Sequence, residues 1–226
     1  MGKPISQSLQ NLIESINNEC VLNNTIITNI IKQNKIVEKD IEPFTTFDHP
    51  DCMSYGRELI FKNEQFKILL MSWKPGDFTA IHNHGETEWG CVCFFGEAVH
   101  RLYSTKNNEL KLIKKDKISS GQVLAVKGSV THMMGNAGEK SFVTLHIYGS
   151  NTKNKCGSEV TVYMPEFQKM VSTSGSAYIN MPNNLILTES AFSKTQNETL
   201  VDYLQLIKPF YKRNNNIATL NKLTHS

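Results

Sequence analysis

GDFTAIHNHGETEWGCVCFFG, residues 76–96, places two histidines, His82 and His84, one residue apart. In a strand such residues point the same way, because side chains alternate faces, and two imidazoles on one face are half of a metal site. Three neutral imidazoles suit a first-row transition metal and leave the full charge of a dication available to a substrate. The third must come from elsewhere. His132, in the segment GQVLAVKGSVTHMMGN (residues 121–136), is the best candidate.

The flanking sequence predicts what carries these residues. Short runs rich in β-branched and aromatic residues begin near Tyr55 and predict strands at about 56–62, 66–73, 78–84, 89–95, 97–104, 108–114, 122–127, 130–133, 141–148 and 159–164. Turn signals such as KPGD, TKNNE, SSGQ and GNAGE separate them. Many short strands at this spacing mean a mainly β protein, a small barrel or jelly roll. Two amphipathic helices precede it: Ile5, Leu9, Leu12, Ile13 and Ile16, then Ile26, Ile27, Ile30 and Ile31, recur at helical spacing. Beyond Pro182 the pattern returns to helix, with Leu200, Tyr203, Leu204 and Ile207 on one face and Pro209 tightening or ending the element. The organisation expected is one overall domain: N-terminal helices over 1–45, a β core over 46–182 and a C-terminal helical extension over 183–226, whose last dozen residues read as poorly ordered.

Composition narrows the function classes. The chain has 226 residues, 39% hydrophobic and 20% charged, with net charge +3 and no apolar run long enough to span a bilayer. The lysines are scattered, so nothing points to nucleic acid or a membrane. The N-terminal residues show no signal-peptide core, and a cytoplasmic protein is expected. Five cysteines (Cys20, Cys52, Cys91, Cys93, Cys156) without a CxxC pair predict free thiols. His49, His100 and His225 read as surface or satisfied core histidines.

The two histidine segments resemble the first and second cupin motifs: Gly76, His82, His84 and Gly96, then Gly121, His132 and Asn136. Lys127 stands where the second motif usually has proline. Within the cupins the chain resembles the cysteine dioxygenase family from about Tyr55 to Ser176. Tyr55-Gly-Arg57-Glu-Leu59 is similar to the family's substrate-binding segment, and Leu69-Leu-Met-Ser-Trp73 to its approach to the metal ligands. Thr144-Leu-His146-Ile-Tyr148 is similar to its Ser-x-His-x-Tyr relay, and Thr173 to Ser176 to the end of its core. The resemblance implies iron(II) held by His82, His84 and His132, with catalytic Tyr148 supported by His146 and Thr144. It also implies that Arg57 takes the substrate carboxylate beside Tyr55.

The residues agree with those roles. Thr144, His146 and Tyr148 alternate onto one strand face and can hydrogen-bond in series. Arg57, one of three arginines, offers a planar fork for a carboxylate. Strand parity also puts Glu86 and Glu88 on the His84 face, but the family's ligand set leaves them out.

In many animal members a cysteine at the usual cupin acidic position becomes thioether-linked to the relay tyrosine. Counting from His84, that position is Trp89, which predicts an uncrosslinked enzyme like the bacterial members, with Trp89 in the substrate pocket. The expected activity is oxidation of L-cysteine by dioxygen to cysteine sulfinic acid by a monomer or weak homo-oligomer. Family members that prefer 3-mercaptopropionate tend to carry glutamine at the Arg57 position, which favours cysteine here. Alternatives are a dioxygenase of 3-mercaptopropionate or cysteamine, a zinc or manganese cupin enzyme, and a ligand-binding cupin without catalysis.

Overall fold

Residues 3–153, 159–192, 194–216, 219 and 221 are described by the structure, a computed structural model. Thirteen strands follow in chain order: β1 (Gly56–Lys62), β2 (Phe66–Trp73), β3 (Ile81–His82), β4 (Trp89–Phe94), β5 (Ala98–Ser104), β6 (Glu109–Ile118), β7 (Val123–Ala125), β8 (Thr131–Gly135), β9 (Phe142–Gly149), β10 (Val160–Met164), β11 (Lys169–Thr173), β12 (Ile186–Ala191) and β13 (Lys194–Thr195). Helices α1 (Gln7–Asn17), α2 (Asn24–Asn34) and α3 (Glu38–Ile41) precede them, and α4 (Asn197–Arg213) follows. The strands form a five-stranded sheet, β1-β2-β9-β4-β7, and an eight-stranded sheet, β12-β11-β10-β3-β8-β5-β6-β13. This is the mainly β cupin architecture, a double-stranded β-helix with helical additions at both ends.

Alternation along the strands sorts the side chains into three cores. The middle strands of the five-stranded sheet are covered on both faces, and all eight residues of β2 are buried. Phe66, Ile68, Leu70, Cys91, Cys93, Leu145 and Ile147 face outward and meet Leu9, Leu12, Ile27 and Ile31 of α1 and α2. Leu69, Met71, Trp73, Val92, Phe94 and Tyr148 face inward, against Val162, Met134 and Val171 of the other sheet. The third core lies outside the larger sheet, where Tyr203, Ile207, Phe210 and Tyr211 of α4 cover Ile81, Tyr103 and Met133. The helical additions thus bury strand faces that would otherwise be exposed apolar surface.

The C-terminal region departs from the sequence reading. Residues 186–192, 194 and 195 are not helical: β12 pairs antiparallel with β11, which the sequence reading passed over, and β13 runs parallel to β6. Nor does Pro209 end the helix, which continues to Arg213. Pro209 removes one backbone donor, but burial of Phe210 and Tyr211 holds the last turn in place. So does an ion pair between Arg213 and Asp77 at 2.8 Å. The expectation of poor order over the last dozen residues, and the reading of His225, fall mostly outside the described residues. Among the described residues no helix is long and apolar enough to cross a membrane.

Candidate metal centre

The two cupin motifs are stitched together by backbone. Gly76, in the left-handed region at φ 81°, donates to the Asn136 carbonyl at 2.9 Å, and Asn136 donates to the Asp77 carbonyl at 2.8 Å. His82 then pairs with His132 across β3 and β8. Strand pairing of β3 ends at His82, but Asn83 donates to the Thr161 carbonyl at 3.1 Å and His84 to the Gly128 carbonyl at 3.3 Å, which keeps His84 in line. Gly85 turns the chain away immediately afterwards at φ 54°, so close to Glu159 that a Cβ would lie 1.8 Å from its carbonyl oxygen. Only glycine meets both conditions.

One ring nitrogen from each of His82, His84 and His132 falls within 4.8 Å of the others, and all three residues are buried. Their ring centroids lie 4.6 to 5.1 Å apart. The remaining hydrogen bonds say which nitrogens are free. His82 Nδ1 donates to the Ala80 carbonyl at 2.9 Å, and His132 Nδ1 is tied to His100 Nε2 at 2.9 Å, so each presents Nε2 inward. His132 Nε2 and both nitrogens of His84 are buried without a hydrogen-bond partner. Orphaned buried nitrogens are costly unless something accepts their lone pairs, and a divalent cation does so. Burial pushes His82 down to about 4, and holds His84 and His132 well below the ordinary histidine range, with repulsion from neighbouring imidazoles adding to it. The three rings are therefore neutral at pH 7, the form that ligates a metal.

Beside the triad runs the relay. Thr144, His146 and Tyr148 face inward on β9, with Thr144 Oγ1 2.7 Å from His146 Nε2 and His146 Nδ1 2.6 Å from the Tyr148 hydroxyl. Trp73 Nε1 donates to Thr144 Oγ1 at 2.9 Å, which sets the direction of the chain. Thr144 Oγ1 keeps a proton that can go to Nε2, and in that tautomer Nδ1–H donates to the phenol oxygen. Burial depresses His146 to about 3, so it works as a neutral hydrogen-bonding link. Tyr148 lies against His84, ring centroids 5.3 Å apart.

The cavity in front of these groups is lined by Tyr55, Lys67, Met71, Trp73, Thr79, the three histidines, Met134, His146, Tyr148, Val160, Gly175 and Ala177, with Asn83 and Thr87 at its edge. Tyr55 stacks on Trp73 at 5.1 Å, and its hydroxyl accepts from the Ala177 amide at 3.1 Å. Arg57 is not part of the lining. Its charge acts on Tyr55, Tyr178 and His146, which places it at the Tyr55 end, and its Nε is buried without a partner. Behind the triad, a separate and largely apolar cavity of about 260 Å³ is bounded by His84, His100 and His132 together with Val92, Phe94 and Leu124.

Trp89 requires a correction. It does not face the substrate pocket; it is buried in the core beneath the N-terminal helices, 6.3 Å from Phe66 and packed over Gly149. The residue that faces Tyr148 is Gly90, its register partner across β4 and β9. Counting from His84 fails by one residue because 83–88 form a turn in which strand parity does not hold. For the same reason Glu86 and Glu88 leave the His84 face: both are exposed, and Glu88 accepts from the Asn151 amide at 2.7 Å and the Thr152 hydroxyl at 3.2 Å.

Sequence reasoning also passed over Lys67 and the contact of His100 with a ligand. Counting back in twos from Trp73 along a strand would have found Lys67. His100 is positioned by the pairing of β5 with β8, for which the sequence carries no local sign.

The class defined by fold and site is a cupin barrel whose three converging imidazoles could hold a metal ion. A profile of the cysteine dioxygenase type I family matches residues 4–169, and the chain belongs to that family of dioxygenase-type enzymes. The chain is also similar, at low identity, to several solved structures. An uncharacterized conserved protein with a double-stranded β-helix domain from Klebsiella pneumoniae is 14% identical over 52% of this chain and 91% of its own, with a TM-score of 0.41. TT1209 from Thermus thermophilus is 16% identical over 50% of this chain and 97% of its own, with a TM-score of 0.40. A cupin superfamily protein from Desulfitobacterium hafniense is 18% identical over 42% of this chain and 76% of its own, with a TM-score of 0.34.

Proposed function

We propose that the protein is an iron(II)-dependent dioxygenase of small thiols acting on L-cysteine: R–SH and O2 give R–SO2H, with both oxygen atoms ending on sulfur. The observation that carries this reading is the meeting of three buried, converging imidazoles with the Thr144–His146–Tyr148 relay in one cavity. His82, His84 and His132 would hold the ion. A ferrous ion on neutral ligands supplies a redox-active Lewis acid that lowers the thiol pKa from about 8.5, so that thiolate is available at neutral pH.

The chain's own groups do the rest. Arg57, with its unpartnered Nε, is suited to the substrate carboxylate at the Tyr55 end. Tyr148 presents its hydroxyl proton to substrate or oxygen, held in that orientation by His146, Thr144 and Trp73 in turn. Met71, Met134 and Val160 form apolar walls that limit water around the sulfur. Oxidation stops at the sulfinate rung. The enzyme would work in the cytoplasm, as a monomer or weak homo-oligomer, without nucleic-acid or membrane partners.

Incubation of iron(II)-loaded protein with cysteine under labelled dioxygen tests this directly. Mass spectrometry should find cysteine sulfinic acid carrying two labelled oxygens. No oxygen uptake with cysteine, 3-mercaptopropionate or cysteamine would remove the dioxygenase reading, and preference for either of the latter two would reassign the substrate. Metal analysis of the purified protein separates iron from zinc or manganese.

A further inference from the structure

The cavity has a cation that neither the motifs nor the proposed mechanism uses. On β2, alternation sends Phe66, Ile68 and Leu70 toward the helices and Leu69, Met71 and Trp73 toward the barrel interior. Lys67 therefore lies on the interior face, where it lines the cavity and is only 8% exposed. Its register partner on β9 is Tyr148, whereas Arg57 pairs with Met71, which in turn pairs with Thr144. Four residues along β2 separate the two levels, about 13 Å at the usual rise. Arg57 and Lys67 thus stand at opposite ends of the relay, and it is Lys67 that shares the level of the phenol. Its positive charge is felt at His84.

We propose that Lys67 is a specificity-determining residue that selects thiols bearing a carboxylate and disfavours thiols whose second group is an amine alone. The inference rests on the thiol reading of the same cavity. Lys67 in the lining and a divalent ion on the three histidines would put positive charge on two sides of the cavity, with the Arg57 charge beyond its Tyr55 end. A substrate that delivers a thiolate and a carboxylate is complementary to that field, and one that delivers a thiolate and an ammonium places like charges together. An ammonium on a flexible stem is a compact point charge that can follow a carboxylate in several orientations, where the guanidinium fork demands one. Lys67 would therefore admit carboxylates at more than one distance from sulfur, so that both L-cysteine and 3-mercaptopropionate bind better than cysteamine.

Calorimetric titration of iron(II)-loaded protein under argon with these three thiols separates binding from turnover. Lys67→Met should weaken L-cysteine and 3-mercaptopropionate about tenfold while cysteamine holds or tightens, and Lys67→Arg should stay within about threefold of the parent. Iron content and melting temperature of each variant identify any that is misfolded, and Lys67→Arg then carries the comparison through the salt dependence of binding. An equal change for all three thiols in Lys67→Met means a packing role and overturns the proposal, as does no change, or no binding of any thiol by the parent. Selective binding that depends on Lys67 without oxygen uptake would instead overturn the dioxygenase reading and leave the role of Lys67 standing.

Discussion

Gly90 lies against Tyr148: the two are register partners across β4 and β9, and a Cβ on Gly90 would sit 3.1 Å from the Tyr148 ring and 2.6 Å from the Ile147 carbonyl oxygen. The residue at the relay phenol thus has no side chain, and the nearest thiols on the same strand, Cys91 and Cys93, belong to the core on the other side of the sheet.

Among the described residues no thiol of β4 faces Tyr148, and an uncrosslinked protein is expected. Intact mass should match the 25.6 kDa sequence without loss of two hydrogens, and a denaturing gel should show a single band. Gly90→Ala, which forces a methyl into backbone and phenol, should cost about 1–3 kcal/mol in chemical denaturation and lower turnover.

His100 orients His132 through a 2.9 Å hydrogen bond and so fixes which nitrogen His132 can offer to a metal. Loss of such a partner typically lowers metal affinity 10- to 100-fold. His100→Phe should show that drop in a competition titration with a chelator, while His132→Ala should abolish stoichiometric iron.

Asp77 is fully buried and accepts three times, from the Lys74 amide at 2.7 Å, His49 Nε2 at 2.9 Å and Arg213 at 2.8 Å. It joins the turn before the ligand strand to the end of α4. Arg213→Met leaves a buried carboxylate short of a charged donor and should cost about 1.5–3 kcal/mol in urea denaturation. Iron should also be lost more readily in the variant, because the strand carrying His82 begins four residues beyond Asp77.

Glu166 gives the fold a pH dependence of its own. Burial beneath α4 pushes its carboxyl up from 4.5 to about 7, against hydrogen bonds to Oε1 from Tyr203 at 3.1 Å and Tyr211 at 3.0 Å, and Oε2 has no partner. The folded state holds this proton more tightly than the unfolded chain, so the Glu166 contribution is greatest below about pH 4.5 and is lost as pH rises to about 7. Glu166→Gln should flatten that part of the stability profile and make the protein more stable than the parent at pH 8. An unchanged slope between pH 5 and 7 would show that Glu166 titrates normally.

Much of the site was legible in the residues themselves. His82, His84 and His132 could be read as ligands, and Thr144, His146 and Tyr148 as a relay, because strand alternation is a local rule and each group lies within one short segment. Alternation fails where strand geometry fails. The turn at 83–88 shifts the parity by one, which is why Trp89 reads as a pocket residue in the sequence and Gly90 is one in the structure. Helix spacing beyond Pro182 was read correctly for α4, but the strands before it were missed because their partners, β11 for β12 and the distant β6 for β13, lie outside the reach of a local pattern.

The sequence by itself determined the barrel, its helical additions and the imidazoles that could serve as metal donors, since these follow from side-chain periodicity and residue type. Tertiary structure alone decided what the groups meet. Strand register put Gly90 and Lys67 at the level of Tyr148, brought His100 to the back of His132 and carried Arg213 across to Asp77. Register is a property of pairs of strands and helix contacts a property of faces, so neither is written within the reach of a local pattern.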